Sequence, residues 1–359
     1  MEIFNISGLR TIYLSFNNLS ASLSSIIHSV SPNTEELYLH CLIKLVGTIP
    51  HFISNCSKLT LLDFSYNKLT GLIPSLLGYL THLSKLLLAG NKIDSSFNFL
   101  TSLTKCRDLT FLTLSLNPLN GMLPISVGNF STSLTVFCAH ICKIKWRISN
   151  EVGNISNLLD LNLFGNNLVG SIPTSIGNLR NLQHFIFSNN TLTGFIGDNL
   201  CKLQGLGAIY LGQNQLSGSL PNCLGNITSL REIHTGSNKL ISNIPASLWN
   251  LKDQMVLDLS SNNMIGSLPQ EMGNLKVATQ INLSMNQFSN GIPREIGGLQ
   301  YLVYLSLRHN NLQGSIPDSM SNMVALKFLD FSHNNILGTI PMSLKKLQNL
   351  KYFNISVNK

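Results

Sequence analysis

One sentence of sixteen residues, Leu158 to Pro173 (LLDLNLFGNNLVGSIP), is respelled with small changes along the whole chain, and this repetition limits the fold more than any other property. In template form it is LxxLxLxxNxLxGxIP. The first-leucine position falls at Leu9, Thr34, Leu59, Leu83, Leu109, Leu134, Leu158, Leu182, Leu206, Leu230, Gln254, Ala278, Leu302, Leu326 and Leu350, which makes fifteen turns. From Leu134 onward every spacing is 24 residues, whereas earlier spacings vary from 24 to 26. A chain of 359 residues could hold several ordinary domains, but an unbroken period predicts one array over 1–359. It divides into an irregular stretch 1–133, regular repeats 134–349 and a truncated last repeat 350–359.

Within a turn, the L-x-L piece alternates committed leucines with free residues, the pattern of a strand half-buried against a core. Stacked turns would pair these strands in parallel, giving an inner face of roughly 70 Å at about 4.8 Å per strand. Thirteen turns keep the template asparagine, as at Asn67, Asn166, Asn214, Asn262 and Asn286. Its amide both donates and accepts, so it can satisfy backbone groups where the chain bends off the strand. Leu42 and Cys142 stand in its place in the other two turns, and local distortion is expected at both. Glycine in LxG marks a tight turn or close packing. The following proline fixes φ and removes a donor where extended chain gives way to a short 3₁₀ or helical turn.

The hydrophobic fraction of 44% against 11% charged residues comes from periodic leucine, and no apolar run is long enough to cross a bilayer. The net charge of +8 is spread singly, which argues against nucleic acid as a partner. The cysteines 41, 56, 106, 138, 142, 201 and 223 show neither zinc spacing nor an even disulfide framework, so they are expected to be small buried or half-buried hydrophobes. No cofactor or metal is indicated: His184 and His234 lie two turns apart, about 10 Å, too far to share an ion. No spacing specifies a Ser/His/Asp arrangement or a carboxylate pair, so no catalytic site is expected. The opening residues show no secretory signal, and both ends fall inside a repeat. Leu350, Phe353 and Ile355 then form an uncovered edge expected to fray or associate.

The LxGxIP half resembles the plant-type leucine-rich repeat. That resemblance implies an α/β repeat solenoid, a superhelix with a parallel sheet on its concave face and short 3₁₀ or helical turns on its convex face. The long turn Phe97 to Cys106 (FNFLTSLTKC) resembles a segment of immune receptor kinases related to the flagellin, elongation-factor and rice bacterial-blight receptors. The runs Asn282 to Pro293 and Leu329 to Pro341 resemble the last repeats before such a receptor's C-terminal cap. The caps, the transmembrane helix and the glycine-rich, HRD and DFG motifs of the kinase are not found in this sequence. The resemblance implies the ligand-sensing part of a plant receptor-like kinase in immune or developmental signalling, outside the plasma membrane, with a peptide or protein ligand of plant or microbial origin. The alternative is a stand-alone binder, either a kinase-free receptor-like protein or an inhibitor of a secreted hydrolase such as polygalacturonase.

Recognition would come from the outward strand positions, which the template leaves free. In turns seven to ten these include Asp160, Phe164, His184, Ile186, Tyr210, Gln213, Glu232 and His234, mixing aromatic faces with hydrogen-bonding groups as protein-binding patches do. In turns thirteen and fourteen Tyr304, Arg308, His309, Lys327, Phe328 and His333 form a second set, which the resemblance assigns to a co-receptor kinase ectodomain. Asp258 and Asp330 belong to LDLS and LDFS, common phrases of the repeat, and are discounted as contacts. Nine N-x-S/T sequons suggest a glycoprotein, with Asn129, Asn154 and Asn226 on convex segments the best placed. Turn six carries a basic aromatic cluster, Lys143, Lys145, Trp146 and Arg147, with Trp146 in the glycine's place; a drifted copy of the repeat explains it more simply than an anion site.

Overall fold

The computed structural model describes residues 6–28, 30–42 and 44–359 of the chain. Contacts divide it into two units, Met1–Leu182 and Gln183–Lys359, and each is built by the same rule.

In the first unit the inner strands are Thr11–Tyr13, Glu36–Tyr38, Leu61–Asp63, Lys85–Leu87, Phe111–Thr113, Val136–Cys138 and Asp160–Asn162, parallel and in chain order. In the second they are His184–Ile186, Ala208–Tyr210, Glu232–His234, Val256–Asp258, Gln280–Asn282, Tyr304–Ser306, Phe328–Asp330 and Tyr352–Asn354. Each strand is three residues long, and its middle residue points into the core except in the last, as with Leu161, Ile209 and Leu305. The flanking leucines of the template, such as Leu158, Leu211 and Leu307, are fully buried beside it. No turn could bury these groups alone, so each unit draws its stability from the contact of successive turns.

Where the chain leaves the strand, the residue before the template asparagine adopts a left-handed backbone in every turn, with φ between 51 and 70°. It is glycine only at Gly90 and Gly165; elsewhere it is as varied as Phe16, Gln213, Met285 and even β-branched Ile141 and Val357. A left-handed L-residue costs about 1–2 kcal/mol. The next residue offsets that cost. Asn91, for example, donates to the carbonyls of Phe64 at 2.9 Å and Leu88 at 3.1 Å and accepts from the Leu69 N–H at 3.0 Å. In turn six the Cys142 thiol makes the weaker substitutes, 3.3 Å to Leu114 O and 3.5 Å to His140 O, and Lys143 adds a second left-handed residue at φ 56°. The expected distortion is therefore present there. In turn two Leu42 still gives its N–H to Asn67 Oδ1, and residue 43 beside it lies outside the described residues.

Short lateral strands follow. Inner strands pair one full repeat apart, as Ala208 opposite Glu232, but in the regular turns lateral strands pair two residues short of it, as Ile265 opposite Gln287. The template glycine sits on this strand at positive φ, 76° at Gly170, and Trp146, Ser242 and Asn290 take the same conformation in other turns. After proline comes a 3₁₀ turn, for instance Thr174–Asn178 behind Pro173, closed by the Ile176 N–H on Pro173 O. Its penultimate glycine is a packing requirement: a Cβ on Gly225 would lie 2.2 Å from Ser247 O of the next turn. The long turn Phe97 to Cys106 carries a one-turn helix, Phe99–Leu103, that buries Phe99, Leu100 and Leu103.

One expectation for the cysteines is corrected. Cys201 and Cys223 form a disulfide across consecutive 3₁₀ turns, Asp198–Lys202 and Asn222–Asn226. Cys56, Cys106 and Cys142 are buried, and burial pushes their thiols up to about 11, 11 and 12, so they stay protonated at neutral pH.

Candidate functional site

The predicted recognition residues fall in both units. Asp160 and Phe164 belong to the first; Asp160 is half-buried beside Val136, and the Phe164 N–H is accepted by Asn162 Oδ1 at 3.1 Å. The other six lie in the second unit, where the register sorts most of them into two columns. His184, Ala208 and Glu232 occupy the first strand position of successive turns, and Ile186, Tyr210, His234 and Asp258 the third. Gln213 stands exposed on a left-handed corner, φ 56°.

Three of these side chains form a connected group. The Tyr210 and His234 rings stack with centroids 4.4 Å apart and planes within 8°. The Tyr210 hydroxyl donates to Glu232 Oε2, and His234 Nε2 lies 3.3 Å from the same oxygen. The Tyr210 hydrogen bond, aided by His234 and by the charge on His184, holds the Glu232 carboxyl below its ordinary range against the opposing effect of burial. Burial, then the hydrogen bond to Glu232, pushes the Tyr210 phenol up to about 12. The result is a rigid, half-buried aromatic pair with an ionised carboxylate fixed at its edge. Such a surface offers apolar ring area and an acceptor with little rotamer entropy left to lose on binding.

The second predicted set is also organised, and further than expected. Tyr304, Phe328 and Tyr352 stack in one column, with centroids 4.4 and 4.3 Å apart; Tyr352 was not among the predicted residues. His309 and His333 stack at 3.9 Å on consecutive left-handed corners, between exposed Met285 and Val357. Burial, then the neighbouring His333 and Arg308, keeps His309 below the usual imidazole range. Arg308 and Lys327 are exposed beside the two stacks. Asp258 and Asp330 serve their own turns: each accepts from the N–H and hydroxyl of the serine two residues on.

In turns one to three, Ser15 Oγ and Asp63 Oδ2 both contact His40, at 2.8 and 2.9 Å, with Tyr13 and Phe16 edge-on to the ring and Tyr38 against Tyr13. Both contacts fall on the same nitrogen, Nδ1, so this trio is not arranged as the Ser/His/Asp relay, which needs the hydroxyl and the carboxylate on opposite nitrogens. Sequence spacing had not picked out this group. In turn six Lys145, Trp146 and Arg147 form an exposed lateral strand paired with Asn167–Val169.

The sequon asparagines divide by location. Asn129, Asn154 and Asn226, with Asn55, are exposed final residues of 3₁₀ turns. Asn282 and Asn354 lie on inner strands, where their carboxamides accept from the Ser284 and Ser356 N–H groups. Asn5 lies outside the described residues. Among the described residues no helix is long and apolar enough to cross a membrane, and no group of three His, Cys, Asp or Glu is placed to hold a metal.

Leucine-rich-repeat family models match residues 32–93 and 293–336, and single-repeat models match 157–179, 181–203 and 255–275. The chain is a leucine-rich-repeat protein. Its fold is that of plant receptor-kinase ectodomains. The ectodomain of the Arabidopsis thaliana membrane receptor kinase GASSHO1/SCHENGEN3, solved with CASPARIAN STRIP INTEGRITY FACTOR 2, is 35% identical with a TM-score of 0.93, covering 99% of this chain and 42% of that one. The ectodomain of the Arabidopsis receptor kinase HAESA, in complex with an extended IDA peptide hormone, is 31% identical with a TM-score of 0.71, over 99% and 67% of the two chains. HAESA bound to IDA and the co-receptor SERK1 is 27% identical with a TM-score of 0.59, over 98% and 75%. The leucine-rich-repeat chain thus spans less than half the length of the first of these structures. A search of curated proteins gave no match.

Proposed function

We propose that this leucine-rich-repeat chain is the peptide-sensing region of a plant receptor-like kinase, working on the outer face of the plasma membrane. The observation that carries this reading is the Tyr210–Glu232–His234 group, a preorganised aromatic and acceptor patch on the inner sheet of a fold shared with peptide-bound ectodomains. A receptor of the flagellin, elongation-factor or bacterial-blight group is the finer reading, supported by the helix-bearing turn Phe97 to Cys106. The Tyr304–Phe328–Tyr352 and His309–His333 stacks, flanked by Arg308 and Lys327, would face a co-receptor ectodomain, as SERK1 joins HAESA. A serine/threonine kinase in the parent receptor would carry the signal inward.

Selection of a random peptide display library against the secreted chain tests the reading. Binders are expected, and Tyr210→Ala or His234→Ala should weaken them roughly tenfold or more, the effect of losing an aromatic anchor. Failure to select any peptide, or selected peptides indifferent to both substitutions, would overturn it.

Glycans provide a test of location. When the chain is secreted from plant cells, Asn129, Asn154 and Asn226 should be occupied and Asn282 bare, because only the former present free, convex carboxamides. Mass spectrometry of glycopeptides reads the pattern; bare convex sequons with a modified Asn282 would contradict the surface assignment.

A further inference from the structure

The repeat supplies its own control for reading the inner surface, since the same structural position recurs once per turn. Two residues beyond each inner strand, the outward position holds serine in most turns of the second unit: Ser188, Ser260, Ser284, Ser332 and Ser356. In turns nine and ten it holds glycine, Gly212 and Gly236, and in no other turn of the chain. Neither glycine has a positive φ, so backbone conformation does not demand the missing side chain. The two glycines directly follow the stacked Tyr210 and His234 by two residues, so the floor is bare just where the aromatic pair rises.

A second difference accompanies the first. In turns with Asp or Asn at the end of the strand, that side chain accepts the N–H of this outward position: Asp258 from Ser260 at 3.0 Å, Asn282 from Ser284 at 3.3 Å, Asp330 from Ser332 at 2.9 Å. Tyr210 and His234 make no such bond, and among the described residues the Gly212 and Gly236 N–H groups, like those of Ser188 and Arg308, have no acceptor, but only the glycines leave theirs without a side chain beside it. The carbonyls of the same two glycines are engaged, accepting from the Asn189 and Gln213 N–H groups at 2.9 and 2.8 Å. Over Gly236 the Asp258 carboxylate leans in, both oxygens within 3.2 Å of where a Cβ would be, whereas the nearest atom to a Cβ on Gly212 is backbone, Gly236 O at 3.0 Å. Gly236 is therefore buried and covered, and Gly212, half-buried beside the rings, is the position whose main chain can be reached.

We infer, resting on the peptide-recognition reading above, that the main chain of an extended peptide docks at Gly212. A carbonyl oxygen of the peptide accepts from the Gly212 N–H, and a flanking side chain lies on the Tyr210–His234 pair. Glycine at 212 is what permits the approach, since a larger side chain there would stand beside the N–H, whereas the missing Cβ of Gly236 makes room for Asp258 and Ser260. A basic residue next in the peptide meets Glu232, whose carboxylate is fixed by Tyr210 and His234, and selects ligands with Lys or Arg at that place.

The test uses peptides selected from the same display library on the secreted chain. Gly212→Ser gives this turn the residue that turn eight carries at Ser188, so the fold is expected to survive, with the Gly236 carbonyl giving way slightly, while affinity falls at least tenfold. Glu232→Gln should abolish any enrichment of Lys or Arg among the selected peptides without abolishing selection. Full affinity in a well-folded Gly212→Ser variant would overturn the docking site, and peptides without basic enrichment on the native chain would overturn the role of Glu232. Failure of the native chain to select any peptide strikes the recognition reading itself, so the two failures are distinct. Should Gly212→Ser not fold, Gly212→Ala, with one atom fewer, provides the same reading.

Discussion

Asn286→Leu is expected to destabilise the second unit by about 3 kcal/mol, the scale set by orphaning buried backbone groups, although the substituted side chain is of similar size and apolar. Asn286 donates to the carbonyls of Leu259 at 2.9 Å, Leu283 at 3.3 Å and Ser284 at 3.2 Å, and its Oδ1 takes the N–H of Met264 at 3.0 Å. Those contacts are not equally costly to lose. Leu259 O keeps Asn262, Leu283 O keeps Asn310 and Ser284 O keeps the Ser261 N–H. Met264 is fully buried and its N–H has no second acceptor among the described residues. Most of the penalty therefore falls on that one donor, with a smaller share for the left-handed Met285 corner that the asparagine helps to hold.

Because turns interact mainly with their neighbours, the damage should stay local. Hydrogen exchange is expected to show lost protection in turns eleven to thirteen and unchanged protection in turns eight and nine. Cys142→Asn in turn six should act with the opposite sign, restoring an amide where a thiol now makes long bonds. An Asn286→Leu chain with native protection at Met264 would show that the ladder contributes little.

The core was legible in the sequence because a leucine buried in one turn is buried in all of them: Leu158, Leu182 and Leu206 obey the same 24-residue rule and are all fully buried. The 3₁₀ turns behind Pro173, Pro221 and Pro293 followed from proline chemistry for the same reason. The left-handed corner was not legible. Phe16, Gln213, His309 and Val357 share a conformation but no side-chain property, because the asparagine that follows, not the corner residue, supplies the compensation. In the candidate site, spacing placed Tyr210, Glu232 and His234 in adjacent turns, but it could not show that Tyr210 and Glu232 share a hydrogen bond or that two rings lie parallel. Gly212 was not legible as a site residue, because an absent side chain carries no chemistry of its own. The Ser188, Ser260 and Ser284 column was the available signal.

Reduction of the chain is expected to lower the stability of the second unit by about 3 kcal/mol through a single bond, Cys201–Cys223, with a sequence separation of 22. In the chain-entropy account the cross-link restricts the unfolded ensemble, and closing a loop of this length gives a contribution of that size. The pairing was hidden by assuming one period for every face. Inner strands meet a full repeat apart, but on the lateral and convex sides residues meet two short of it: Ser217 opposite Lys239, Gly225 against Ser247, and in the same phase Cys201 against Cys223. The two cysteines are half-buried on their 3₁₀ turns, while Cys56, Cys106 and Cys142 are buried thiols held protonated. A mild reductant should therefore open this bond and alter nothing else, whereas alkylation of the buried thiols should wait for unfolding. The Cys201→Ser, Cys223→Ser double variant should match the reduced native chain in urea unfolding and be insensitive to reductant. A bond of this kind persists in an oxidising compartment, which agrees with the extracellular role proposed above. Identical unfolding curves for the oxidised and reduced native chain, with the bond confirmed by mass, would show that the turns alone hold this segment together.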